Sequence, residues 1–217
     1  MKPRVVVLSA PSGGGKTTIA RALLRARADM GYSVSATTRP PRPGERNGQA
    51  YHFLSREEFA RRRARGEFLE CAEYAGEWYG TLRSEVERVL ASGRHVVLDI
   101  EIEGAREVRR AYPPPASVSV FILPPNVPVL LERLGQRKSE SGDARRRRLQ
   151  RAVEEVREAP QYDYVVVNDD LTPAVDAVSR IVDGPADVPR RPADFQDRLQ
   201  TLARDLARAA EDRPRGP

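Results

Sequence analysis

Along the 217 residues of the chain, short unbroken apolar runs alternate with longer stretches in which apolar positions recur every three or four residues. Residues 5–9 (VVVLS) are one such run, β-branched and without a polar break until Ser9. That pattern predicts a strand buried on both faces, as in a parallel sheet. Residues 96–100, 118–123 and 164–167 repeat it. Helical spacing marks residues 16–29 (Ile19, Leu23, Leu24), 83–91, 127–137 after Pro124-Pro125, and 145–158. Ser55 followed by Glu58 reads as a capping box that opens a helix to about residue 65. Residues 67–80 alternate apolar and polar and predict short strands. Thr172-Pro173 predicts a helix start, a cap with proline at the first helical position. Leu199, Leu202 and Leu206 predict a last helix over 195–210. The loop 39–48, with three prolines and two glycines, is expected to be exposed, and no internal repeat is visible.

Apolar strands separated by helices predict an α/β fold with a parallel sheet flanked by helices. The length suits one well-filled domain carrying small inserted lobes better than two full domains. Pro185, Pro189 and Pro192 mark a linker after about residue 182, before the last helix. The expected organisation is a domain over 1–182 and a Pro-rich linker with a helical tail over 183–217. With 31% charged residues, no apolar run approaches the roughly 20 residues of a membrane helix. The first four residues and about five apolar ones after them are too short for a secretory signal, so a cytoplasmic protein is expected. One cysteine, Cys71, excludes an internal disulfide framework and a cysteine-based zinc site. His52 and His95 are too few for an imidazole-based metal centre. Bland roles are expected of these three: His52 in a loop, His95 at a strand edge, Cys71 in packing.

Charge narrows the chemistry further. Residues 133–151 hold eight basic and two acidic side chains, which accounts for the whole formal excess of +6. A nucleic-acid surface spreads its positive charge more widely and interleaves aromatic residues, so no nucleic-acid partner is expected. The window reads as a local anion-binding element. Only Lys2, Lys16 and Lys138 are lysines among 37 basic residues. A lysine inside a glycine-rich loop of so arginine-rich a chain points to a crowded phosphate pocket, where a compact ammonium fits and a guanidinium does not.

That loop is residues 10–17, APSGGGKT. It has the form G-x-x-x-x-G-K-[ST], with Ala10 at the usual first glycine, and it lies between a predicted strand and a predicted helix. Pro11, Ser12, Gly13, Gly14, Gly15, Lys16, Thr17 and Thr18 are therefore candidate nucleoside triphosphate contacts. Their backbone N–H groups and the helix N-terminus can cradle phosphates. Lys16 can reach the β and γ phosphates, and the Thr17 hydroxyl can ligate Mg²⁺. Asp99, at the end of the run 96–99, is the candidate acid that holds Mg²⁺ through water. ATP and Mg²⁺ are the expected cofactors.

Downstream motifs resemble the guanylate kinase family. The segments are residues 33–53 (SVSATTRPPRPGERNGQAYHF), 67–81 (EFLECAEYAGEWYGT), 98–105 (LDIEIEGA), 121–125 (FILPP) and 162–169 (YDYVVVND). In order, they cover about residues 4–182. The resemblance implies a P-loop kinase fold with an inserted GMP-binding lobe at about 34–82 and a helical lid at about 126–159. It implies that Arg39, Arg42, Tyr51 and Tyr79 hold the GMP phosphate, two planar cations and two hydroxyls around a dianion. It further implies that Glu70 accepts from guanine N1–H and the 2-amino group, with Ser35 and Thr81 on the base edge and Asp99 and Glu101 near the substrate. Adenine offers neither donor, so it would leave a buried carboxylate unpaired. Arg133, Arg137 and Arg148 match lid arginines. Arg145–Arg148 are consecutive and fan around a helix, so Arg146 and Arg147 are expected to face solvent.

The implied reaction is ATP-dependent phosphorylation of GMP, and of dGMP, to the diphosphate. Lys16, Arg39, Arg133, Arg137 and Arg148 are its catalytic candidates, in a monomer or homodimer. The chain departs from the family pattern at Ala10, Ala50, Cys71, Glu101, Glu103 and Arg137-Lys138-Ser139. Two other readings are a related phosphotransferase acting on another phosphorylated acceptor, such as a ribose bisphosphate, and a non-catalytic module that binds protein partners. The set Ser35, Arg39, Arg42, Glu70 and Tyr79 argues against the first, and the intact Gly15, Lys16 and Thr17 against the second.

Overall fold

The computed structural model describes residues 2–74, 76–135, 142–184 and 188–211. The chain folds as two compact units, Met1–Val7 with Leu24–Val118, and Leu8–Leu23 with Ser119–Pro217. The strands of the main sheet are β1 (Val5–Ser9), β2 (Met30–Tyr32), β7 (His95–Asp99), β8 (Ser117–Leu123) and β9 (Tyr164–Val167), in the order β2-β7-β1-β8-β9. The pairs β2/β7 and β8/β9 are parallel. Every residue of β1 and of β8 is buried, which is why both read as unbroken apolar runs.

In the first unit a second sheet, of order β4-β3-β6-β5, is formed by β3 (Ala36–Thr37), β4 (His52–Phe53), β5 (Phe68–Tyr74) and β6 (Glu77–Leu82). Its core is Ala36, Phe59, Phe68 and Leu82, with Leu54, Cys71 and Trp78 packed against it. Phe59 comes from α2 (Arg56–Ala64) and stacks on Phe68 with ring centroids 4.3 Å apart. Cys71 thus has the packing role expected of it, and burial raises its thiol pKa above the usual value. The capping box is half realised. The Ser55 hydroxyl accepts from Glu58 N–H at 3.1 Å, while the Glu58 carboxylate accepts from Arg61 and Arg62. The unit also holds α3 (Arg83–Ala91) and α4 (Ile102–Ala111).

The second unit holds α1 (Lys16–Ala26) up to Leu23, α5 (Val127–Gly135), α6 (Gly142–Arg157), α7 (Leu171–Asp183) and α8 (Phe195–Glu211). The cap of α7 is Asp170, whose carboxylate accepts from Thr172 N–H at 3.1 Å. Thr172-Pro173 therefore lies within the first turn of the helix, where the proline removes no N–H that the helix would pair. The last helix is not a loose appendage. Phe195, Leu202, Leu206 and Ala210 are buried, and α8 packs along α6 and against α5. Burial of each of the three larger side chains contributes roughly 1.5–3 kcal/mol. The segment before α8 is tied down as well. The Arg190 carbonyl accepts from Val165 N–H at 2.9 Å, and the Arg191 guanidinium donates to the carbonyls of Pro160, Tyr162 and Asp163.

Of the two histidines, His52 sits elsewhere than expected. His95 is at a strand edge, opening β7, where it is buried and its Nδ1 accepts from Arg4 N–H at 3.2 Å. His52 belongs to β4, where its N–H donates to the Ser35 carbonyl at 2.9 Å.

Candidate functional site

In the second unit, the loop between β1 and α1 turns on itself through Gly14 N–H to the Pro11 carbonyl at 2.8 Å. Gly15 has φ +97°, and a Cβ there would lie 2.3 Å from Asn168 Nδ2, so only glycine fits both the backbone and the space. Asn168 is buried at the end of β9. It donates from Nδ2 to the Gly14 carbonyl at 3.0 Å, and its own carbonyl accepts from Arg133 at 3.2 Å. Ser12 N–H donates to the Glu155 carboxylate at 3.1 Å. Pro11 is buried, Lys16 is half-buried at the first position of α1, and Thr17 and Thr18 are exposed. The second guanidinium nitrogen of Arg133 is buried, has no acceptor among the described residues, and lies 3.9 Å from the Cβ position built on Gly15. A buried cationic donor beside a glycine cradle fits a phosphate oxygen. Arg148 is half-buried on α6, whereas Arg146 and Arg147 are exposed, as expected of a helix face. Arg137 lies outside the described residues.

In the first unit, the sequence-predicted acceptor residues gather at two places. The Arg39 guanidinium pairs with both oxygens of Glu45 at 3.0 Å and lies 5.4 Å from the centre of the Tyr51 ring. Tyr51 meets Tyr79 edge to face at 6.0 Å. The Glu45 bond raises the Arg39 pKa, with a further contribution from a hydrogen bond to Tyr79, and the same bond lowers that of Glu45. Burial, then the negative charge of Asp99, raises the Tyr51 phenol, which keeps it a neutral O–H donor. Arg42 contributes its backbone N–H to Glu45 at 2.7 Å, and its side chain is exposed.

Glu70, on β5, accepts from the buried Thr81 hydroxyl of β6 at 2.6 Å. Its carboxylate crosses α4 at Gly104, where an added Cβ would lie 2.6 Å from the Glu70 oxygen. Ser35 is half-buried just before β3. Asp99 accepts from the Tyr32 hydroxyl at 2.9 Å, and Glu101 caps α4 through its backbone alone. Sequence reasoning assigned no role to Glu45, Asn168, Glu155 or Gly104. Glu155 carries a legible signal, a charge on a helix face otherwise lined by Leu149, Ala152, Val153 and Val156.

A parallel α/β sheet with a lysine-tipped glycine loop between its first strand and first helix defines a phosphate-binding-loop protein. A family model described as guanylate kinase matches residues 2–184. The chain is 49% identical over 175 residues to a guanylate kinase of Nostoc sp., covering 81% of this chain and 87% of that protein. It is 51% identical over 183 residues to a guanylate kinase of Symbiobacterium thermophilum, covering 83% and 86%. The crystal structure of guanylate kinase from Anaplasma phagocytophilum superposes with a TM-score of 0.67 at 33% identity, covering 91% of this chain and 94% of that one. The chain belongs to the guanylate kinase family. Helix α8 lies beyond the matched residues.

Proposed function

We propose that the protein phosphorylates GMP, and dGMP, with ATP to give the nucleoside diphosphate and ADP. The observation that carries this reading is the Glu70–Thr81 pair on the small sheet. Glu70 offers a carboxylate to two adjacent guanine donors, and Thr81 fixes its orientation. In the same unit Arg39, Arg42, Tyr51 and Tyr79 are assigned to the acceptor phosphate, and Ser35, Asp99 and Glu101 to the acceptor's surroundings. Arg39 exchanges its bidentate carboxylate for phosphate oxygens of like geometry. The loop 11–18 is assigned to the triphosphate, with Lys16, Arg133, Arg137 and Arg148 opposing the charge of the transferring group.

A monophosphate is already an ionised nucleophile near neutral pH, so the chain needs no general base. Its task is alignment and charge neutralisation. Mg²⁺ would be held by the hard oxygens of Thr17 and, through water, Asp99, and would neutralise charge on the β and γ phosphates. The lobe about residues 34–82 and the lid about 126–159 are the elements assigned to closure on substrate, which excludes water.

A coupled ADP-release assay with GMP, dGMP, AMP, UMP and ribose bisphosphate tests the reading. Turnover is expected with GMP and dGMP alone. Lys16→Ala is expected to lower kcat on the order of a thousandfold. Turnover with AMP but not GMP would remove the Glu70 assignment, and an active Lys16→Ala protein would remove the loop's.

A further inference from the structure

Glu155 is 6% exposed, on the apolar face of α6 with Leu149, Ala152, Val153 and Val156. A carboxylate so placed is costly unless both oxygens are satisfied. One accepts from Arg151 Nε at 3.0 Å, and the other accepts from the backbone N–H of Ser12 at 3.1 Å, inside the phosphate loop. Helix surface pairing does not explain the arrangement. Arg151 precedes Glu155 by four residues, the less favourable order for such a pair, and a solvated carboxylate would avoid the burial cost. The contact that requires burial is the one to the loop.

The loop is therefore pinned on both sides of Gly13. Ser12 is held by Glu155 from α6, and Gly14 is held by Asn168 from the end of β9. Ser12 N–H belongs to the run of amides that a phosphate cradle would turn toward its anion. Here it is committed to a carboxylate, so Glu155 fixes where the loop backbone stands before any nucleotide arrives. The negative charge this adds beside a polyanion site is offset by Arg151, whose side chain reaches it from one turn away. The same helix carries Arg148, two turns earlier, so the contact also sets where that arginine begins relative to the loop.

We propose that Glu155 is a positioning residue for the phosphate loop and that its contact with Ser12 sets the affinity for the donor nucleotide. This rests on the reading of the loop as the ATP site. In the full-length protein, Glu155→Ala is expected to raise the KM for ATP about tenfold, with the KM for GMP and the kcat little changed. Glu155→Gln has one oxygen for two donors and is expected to raise it about threefold. A purely structural role would lower the melting temperature without separating the two KM values. Calorimetry with ATP and Mg²⁺ distinguishes the two levels of the reading. Wild-type protein that gives no heat with ATP overturns the donor-site reading and this inference with it. Wild type that binds ATP, beside variants with the same affinity or with equal rises in both KM values, overturns the role of Glu155 alone. Should the alanine protein lack a cooperative melt, an unchanged KM for ATP in the glutamine protein is sufficient to overturn it.

Discussion

The loop at residues 10–16 and the cluster around Arg39 are both assigned to anionic groups in the proposed function, yet they hold their shapes by different means. The loop is backbone, bent at glycines and braced from behind by Asn168 and Glu155, two buried side chains from distant parts of the sequence. The cluster is made of side chains that satisfy one another, Arg39 with Glu45 and Tyr51 with Tyr79, as Glu70 and Thr81 do at the second place in the same unit. The first is held in shape by contacts made to its backbone. The second carries its own counter-ions, so on the proposed assignment an incoming monophosphate would exchange for a carboxylate already in bidentate contact with Arg39. Donor affinity should accordingly depend on remote bracing, and acceptor affinity on the individual side chains in contact with it.

The largest effect that separates the two regions is expected from Glu70→Ala. It should lower kcat/KM for GMP on the order of a hundredfold or more, because guanine's two donors lose their acceptor. The KM for ATP should stay within about twofold. A matching rise in the KM for ATP would mean that the two regions do not act independently. Next is Leu206→Ala in α8. Removing this fully buried side chain should cost about 3 kcal/mol in a denaturant melt. Because α8 packs on α6, which carries Glu155, the variant should also weaken ATP more than GMP. Equal weakening of both would break the comparison.

The smallest effect concerns Tyr51. Its pKa lies above the ordinary phenol value because of burial and the Asp99 charge. The stabilisation from the neutral phenol is then complete below the unfolded-state pKa, and it is lost as pH rises through the folded-state one. A tyrosinate absorbance titration should show Tyr51 and Tyr112 ionising above the ordinary phenol range in the wild type, with one of these components missing from Tyr51→Phe. That variant should raise the KM for GMP about fivefold. A KM for GMP that already climbs near pH 8 in the wild type would contradict the assignment.

Long apolar runs were legible because burial on both faces leaves no polar position to confuse them. Strands β1, β8 and β9 fall within a residue of where the pattern puts them. The strands of two or three residues, β2, β3 and β4, are too short to show a period, and their partners are set by the sheet. Helix α4 escaped because Gly104 interrupts its apolar face. That glycine is required by the close approach of the Glu70 carboxylate, which no local pattern reveals. The candidate site divides the same way. Lys16, Arg39, Glu70 and Tyr79 stand in ordered motifs with roles the motifs imply; Glu45 and Asn168 stand in such motifs too, but like Glu155 they act through partners that only the tertiary structure names. The start of α7 shows a smaller version of this: two good caps compete within three residues, and the carboxylate of Asp170 outranks the hydroxyl of Thr172.

Strand β9 is the last in its sheet, and one of its outward amides is already taken by the carbonyl of Arg190, with Arg191 fastened to the carbonyls just upstream. An open rim of unpaired peptide groups is a template on which another chain can add a strand. The few residues that lead into α8 therefore cover part of the rim of this sheet, whose last strand, Tyr164–Val167, is four residues of high β-propensity and largely buried.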